Sequence, residues 1–179
     1  MIVRKATHTD VPDVEALIEA SIRGIGARRY SPEQIESSLE HLFGVDTQMI
    51  DDGTYFVVEA EGTLVGAGGW SARKTPFGGD QAAAVRDAQW RDPAEDPAVI
   101  RAFYVHPDWT RRGIGQRLLA ASEDAARAEG FHTFELVATL TGLPLYAAAG
   151  YREVEPVSIP LPDGVTIEAV RMEKVPDAA

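Results

Sequence analysis

The sequence of 179 residues contains no cysteine. That absence removes disulfide frameworks, thiol nucleophiles and cysteine metal sites. It fits a reducing compartment, and the cytoplasm is the expected location. No apolar run is long enough to cross a bilayer, and the opening "MIVRKATHTD" lacks the apolar segment of a signal peptide, so no membrane is expected as a partner. Positive charge is scarce: 17 Lys and Arg stand against 28 Asp and Glu, a net charge of −11. No nucleic acid is expected as a partner either, because phosphate backbones require a basic surface. The four histidines do not fall into metal-ligand spacing with carboxylates, so no catalytic metal is expected. No serine sits in a nucleophile-elbow sequence. Repeats, low-complexity tracts and linkers are also missing. The chain is long enough for one domain, residues 1–179, around a sizeable core.

What is present reads as alternating strands and helices. "IVRKA" is a first strand. Val14, Leu17, Ile18, Ser21 and Ile22 then recur at helical spacing, with Thr9 or Asp10 as cap. In "YSPEQIESSLEHLF" Ser31, Pro32 and Gln34 form a helix start with a capping box, and Ile35, Leu39 and Leu42 form its apolar stripe. "TYFVVEAEGTLVGAGGWSA" reads as a hairpin turning at Glu61-Gly62. An irregular stretch from Arg73 to Asp96 follows, with a short helix expected around "QAAAVRDAQW". "PAVIRAFYV" is a buried fourth strand, and "GIGQRLLAASEDAARAEG" is a helix stopped by Gly130. "HTFELVAT", "GLPLYAAAG", "YREVEPV" and "TIEAVRMEK" supply a fifth strand, a short helix and two closing strands that turn at "LPDGV". The order is βααβββαβαββ. The strand–helix–strand unit predicts a parallel pair and the hairpins antiparallel ones, so the fold class is α/β with a mixed central sheet.

The junction "HPDWTRRGIGQRLL" stands out in so acidic a chain. Residues 101–117 hold Arg101, Arg111, Arg112 and Arg117 against Asp108 alone. Arginines at a helix start oppose the macrodipole. They become favourable where an anion sits among them, because glycines admit a ligand to the first, unpaired amides of the helix. A nucleotide P-loop requires Lys-Ser/Thr after its last glycine, whereas Gly115 is followed by Gln116 and Arg117. A dinucleotide fingerprint requires a third glycine where Leu118 stands, and it opens directly from the strand, whereas His106 to Arg112 intervene.

"VHPDWTRRGIGQRLL" resembles the signature of the GNAT superfamily of acyl-CoA-dependent N-acyltransferases, and "LYAAAGYREV" is similar to that family's second recurring feature. The element order agrees from Ile2 to about Lys174. The resemblance implies splayed parallel strands 4 and 5 and acetyl-CoA as cosubstrate. The pyrophosphate would lie on the amides of Arg111, Arg112, Gly113, Ile114, Gly115, Gln116 and Arg117. The pantetheine arm would run along Phe103, Tyr104 and Val105, adding to the strand edge, with Thr139 standing where family members often carry Asn. An amide near Tyr104 or Val105 would polarise the thioester carbonyl. Thr110 occupies the motif position usually held by Gln or Arg.

Tyr146 matches the tyrosine that protonates the departing thiolate in similar enzymes, a near-matched transfer since a thiol has a pKa of about 8.5 and a phenol about 10. The acceptor expected is a small-molecule or peptide primary amine, taken between roughly Arg23–Tyr30 and Ser158–Val165; a homodimer is compatible with this reading. Glu59, Glu135 and His132 are candidate bases by type, with a water chain as alternative. Trp70 and Trp90 are candidates for the acceptor pocket, against ordinary core or rim packing. Two other function classes stay open at this point: a non-catalytic acyl-CoA sensor and a dinucleotide-binding oxidoreductase.

Overall fold

A computed structural model describes residues 1–176. Seven strands form one mixed sheet: β1 (Ile2–Lys5), β2 (Tyr55–Ala60), β3 (Thr63–Ser71), β4 (Ala98–Val105), β5 (Phe134–Thr139), β6 (Arg152–Pro160) and β7 (Thr166–Lys174). Their spatial order is β1-β2-β3-β4-β5-β7-β6, and only the β4–β5 pair is parallel. The helices are α1 (Val11–Gly24), α2 (Pro32–His41), α3 (Thr47–Asp51), α4 (Ile114–Ala128) and α5 (Leu143–Ala148). The expected order is found, with α3 added. No helix among the described residues is long and apolar enough to cross a membrane.

The sheet is covered on both faces. Alternation sends Tyr55 and Val57 of β2 toward α1, α2 and α3, and Phe56 and Val58 toward α4 and α5. Val14, Leu17 and Ile18 of α1 are buried on the first face; Ile114, Leu118 and Leu119 of α4 on the second. The capping box of α2 forms as its sequence predicts, with Ser31 Oγ accepting from the Gln34 amide at 3.2 Å. Gln34 Nε2 also donates to the Thr166 carbonyl at 2.9 Å, tying the α2 start to the closing hairpin. At the end of α1, Gly24 lies against the Pro107 ring. A Cβ on Gly24 would stand 2.4 Å from Pro107 Cγ.

A bulge in β4 shapes everything near the site. Ala67 pairs with Tyr104 and Gly69 with Arg101, so Ala102 and Phe103 together oppose Gly68. Ala102 takes a left-handed φ of 59°, uncommon for a residue with a Cβ. Gly68 makes room: a Cβ there would meet the Phe103 ring at 2.7 Å. Tyr55 donates its hydroxyl to the Ala102 carbonyl at 3.2 Å. Past the bulge β4 leaves β5, and the pair is joined only at Ala98–Phe134 and Val99–Glu135.

Arg101, beside the bulge, is buried. It bonds the Asp46 carboxylate at 2.7 Å and the Gly78 carbonyl at 2.7 Å. Arg86 bonds the same carboxylate at 2.9 Å, and Asp46 also accepts from the Met49 amide at the start of α3. The stretch 73–96 is therefore tied down. Arg73 binds Asp52, Arg86 binds Asp46, Arg91 binds Glu135, and Arg73 bridges Trp90. The helix expected there is reduced to a 3-10 turn at Ala83–Val85, because the arginine anchors hold the flanking chain extended.

Burial pushes the Asp46 carboxyl up, but the Arg86 hydrogen bonds and the charges of Arg101 and Arg86 outweigh it, leaving its pKa below the ordinary value. A carboxyl depressed by folding stabilises the native state above its unfolded pKa of about 3.9, and that contribution is lost as pH falls below it. Asp46→Ala is predicted to cost about 3–5 kcal/mol in urea unfolding at pH 7, because it leaves buried arginine charge unpaired. Between about pH 5 and 3 the stability of the wild type should fall more steeply than that of the variant. Parallel acid profiles would remove Asp46 from this role.

Candidate active site

The loop before α4 gathers the amides. His106 Nδ1 accepts from the Asp108 amide at 3.2 Å, capping the turn Pro107–Trp109. Arg111 and Gly113 then take left-handed φ values of 61° and 78°. Glycine adopts this without penalty; the arginine stores strain of the kind found at functional sites, of order 1 kcal/mol. Among the described residues, no protein acceptor is recorded for the amides of residues 111–116. Arg117 is a correction to the sequence expectation: its amide already donates to the Gly113 carbonyl at 3.0 Å, closing the first helical turn. Its side chain is exposed on the outside of α4. Arg111 lines the groove in front of these amides, whereas the exposed Arg112 lies over the Trp109 ring at 4.5 Å. Arg101 is a second correction. It belongs to the buried Asp46 cluster and not to the basic island at α4.

The groove holds about 520 Å³ and runs from this loop to α5. Phe103, Val105, Gly113, Ile114, Gly115, Gln116, Thr139 and Tyr146 line it together with Arg111. Gly115 lies close to the opposite wall, where an added Cβ would come 2.8 Å from Leu145. The Tyr104 side chain does not face the groove. Strand alternation turns it to the other face, where it is buried in the α1–α2 core. Thr139 Oγ1 lies 3.1 Å from Thr141 Oγ1.

Tyr146 is buried between the Phe103 and Tyr151 rings, at centroid distances of 6.0 and 5.9 Å and edge-on to both. Tyr151 is fixed in turn, donating to the buried Glu123 at 2.9 Å. Burial, and to a smaller extent neighbouring Tyr104, pushes the Tyr146 phenol well above its usual value. It therefore stays protonated throughout ordinary working pH.

Behind the groove lies a smaller chamber of about 50 Å³. Ser21, Ile25, Phe103, Thr139 and Thr141 border both spaces. Tyr30 closes the chamber by donating to the Glu168 carbonyl at 2.6 Å and accepting from the Leu140 amide at 3.0 Å. Of the two segments expected around an acceptor, the first reaches the chamber through Ile25, Gly26 and Tyr30. Residues 158–165 do not line it; the hairpin contributes Ile167, because its turn lies farther out against α2.

Several sequence candidates lie elsewhere. Trp70 packs edge-on against Phe131 in the core, and Trp90 is exposed under the Arg73 guanidinium. Glu59 pairs with Arg4 at 3.4 Å, Glu135 with Arg91 at 2.8 Å, and His132 is exposed. None of these lines the groove or the chamber. Ile25 and Arg28, which do, fall within the segment Arg23–Tyr30 expected around an acceptor, whereas Ser21 was read only as part of the α1 face and Thr141 was not singled out; the proximity of Thr141 to Thr139 offered the one signal for it. No group of three His, Cys, Asp or Glu able to hold a metal ion is found among the described residues.

The family model described as "Acetyltransferase (GNAT) family" matches residues 23–151. A GCN5-related N-acetyltransferase from Rhodopseudomonas palustris is similar in structure, with a TM-score of 0.72 at 22% identity over 98% of this chain and 95% of that one. PaiA N-acetyltransferase from Thermoplasma acidophilum, solved with coenzyme A, gives 0.66 at 16% identity over 98% of each chain. A ribosomal-protein-alanine N-acetyltransferase from Brucella melitensis gives 0.64 at 19% identity, over 98% of this chain and all of that one (100%). At these identities the likeness is one of fold. No curated protein matches the sequence.

Arg111 and Arg112 differ in what they face, so their loss should differ. Arg111→Ala is predicted to weaken coenzyme A binding about tenfold by calorimetry and to flatten its salt dependence, as for a lost charge-assisted contact. Arg112→Ala should change it by less than about threefold, since that guanidinium rests on Trp109. Equal losses in the two variants would mean that the loop geometry does not select Arg111.

Proposed function

The chain belongs to the acetyltransferase (GNAT) family and is an acyltransferase, and from that premise we propose that it moves an acetyl group from acetyl-CoA to a primary amine by direct attack, with Tyr146 as general acid. One observation carries this reading: the Tyr146 ring, the unbonded amides of the α4 loop and the β4 residues past the bulge border a single groove. Residues 1–179 act in it as one catalytic domain, expected in the cytoplasm.

The groove suits the cosubstrate. Amides of residues 111–116 and the Arg111 guanidinium would hold the pyrophosphate, where dipole, free donors and side-chain charge act together. The backbone of Phe103–Val105, separated from β5 by the bulge, would pair with the pantetheine arm. Thr139 offers a hydroxyl at the far wall. Acetyl-CoA supplies an acetyl group activated as a thioester. The amine nitrogen bonds to the carbonyl carbon, and the carbon–sulfur bond breaks with its electron pair on sulfur. The Tyr146 hydroxyl gives its proton to that sulfur, and the amine sheds a proton to water.

Burial raises the phenol and also disfavours a thiolate beside it, so the two groups shift in the same direction. A phenol held above its usual value is a proton donor and not a base, so Tyr146 adds no alkaline limb to the rate in the neutral range.

Tyr146→Phe keeps the ring between Phe103 and Tyr151 and removes only the hydroxyl. It should bind acetyl-CoA about as well as the wild type. With an accepted amine, kcat and kcat/KM should fall together by about 10²–10⁴-fold in single-turnover measurements. Wild-type rates in the variant would assign the proton to water.

A further inference from the structure

The chamber beside the groove has an apolar wall and, among the described residues, no anion. Ile22, Ile25, Ile35, Phe43, Phe103 and Ile167 form most of it, and the remaining lining bears hydroxyls or is glycine. Its volume of about 50 Å³ accepts roughly three or four water-sized groups.

The ionisable groups bordering the chamber and groove can be taken element by element. The α1–α2 connection presents Tyr30 and Arg28, β4 presents Tyr104, the α4 loop presents Arg111, and α5 presents Tyr146. Within the lining α1, α2, α4, β5 and β7 present none. Desolvation holds all three phenols above their usual value, as in a site hostile to charge. Among the described residues, the only full charges at the border are thus two arginines.

Two carboxylates are near but committed. Asp46 acts on Tyr104 from behind and already binds Arg86 and Arg101. Glu168 follows Ile167 on β7, so alternation sends it to the opposite face, where Ser158 donates to its carboxylate at 2.9 Å. An ammonium entering the chamber would lose its water and find no counter-ion among the described residues, and Arg28 at the groove border would oppose it. Among the described residues, neither a carboxylate nor an imidazole borders the site to remove its proton.

We infer that the acceptor is a small, weakly basic primary amine that binds uncharged and lodges a compact apolar substituent in the chamber. Lysine-type ammonium groups and polyamines are selected against. This inference rests on the transferase reading above and adds the acceptor class. The nitrogen lone pair is free on arrival, so the protein has no deprotonation to perform before attack.

The test uses the full chain with coenzyme A bound and 2,2,2-trifluoroethylamine, which is neutral at neutral pH, as a fluorine NMR probe. Its signal should broaden on binding. Neutral propan-1-ol should displace it at a concentration at least about tenfold below that of ethylamine or putrescine, which are cationic. Displacement by either cation at equal or lower concentration overturns the inference. Ile35 lines the chamber and not the groove, so Ile35→Phe narrows the chamber alone; it should abolish the broadening while coenzyme A still raises the melting temperature. Unchanged broadening in that variant places the probe elsewhere and also overturns it.

With acetyl-CoA and thiol release as readout, kcat/KM for ethylamine should rise about tenfold per pH unit between roughly pH 7 and 9, following the free base, and stay flat for trifluoroethylamine. A flat ethylamine profile means that the ammonium is deprotonated inside and contradicts the inference. Probe binding as expected, without thiol release from any amine, would overturn the transferase reading and with it the acceptor class, leaving only a chamber that selects uncharged ligands.

Discussion

The bond between Arg101 and Asp46 underlies the rest of the molecule's geometry. It sits beneath the bulge that bends β4 out of the sheet, and without that bend β4 would continue alongside β5 and no edge would be left for a ligand arm. A bulge on Ala102 carries backbone strain, so it needs neighbours that over-determine it. Tyr55 holds the bulge carbonyl from one side, and the Arg101 side chain holds the preceding residue from the other. Asp46 also starts α3 and anchors the 73–96 stretch through Arg86. One buried carboxylate thus couples the strand that splays, the helix beneath it and the longest irregular segment.

The same burial that makes this ion pair costly to disturb sets the character of the site. Tyr146 and Tyr104 lie on opposite faces of one sheet, and both are cut off from water. Charge reaches the groove through Arg111 and the amides of the α4 loop and through Arg28 of the α1–α2 connection, while among the described residues the chamber lining carries none. The site is polar where a phosphate-bearing ligand would rest and apolar where the acceptor would rest. That gradient follows from two left-handed residues at one end and a set of isoleucines at the other.

Much of this was legible in the sequence. Helical and strand periodicities were long and regular enough to give the element order, and two motifs located the loop and the tyrosine. The five residues of α3 are too short to show a period. The bulge left no glycine signature, because Ala102 takes the left-handed conformation itself. Charge counting placed Arg101 with the basic island, although a lone arginine inside "AVIRAFYV" is also the mark of a buried partner. Nothing in "TRRG" says which arginine lines the groove; that depends on the φ of Arg111, which only the folded loop defines. Of the candidate bases, His132 is simply exposed, and the two glutamates lie away from the groove for one reason. Carboxylates in so acidic a chain are plentiful, and Glu59 and Glu135 were already held by arginines distant in sequence.

The contact between Gly24 and the Pro107 ring has a bearing on how the two halves of the site keep their distance. Gly24 ends the helix that walls the chamber, and Pro107 begins the turn that leads into the amide loop. The two halves therefore meet through close-packed carbon atoms and not through a charge or a hydrogen bond. Such a contact acts as a fixed spacer: ionic strength and acidity change how well each half is filled, but leave the separation between them unaltered.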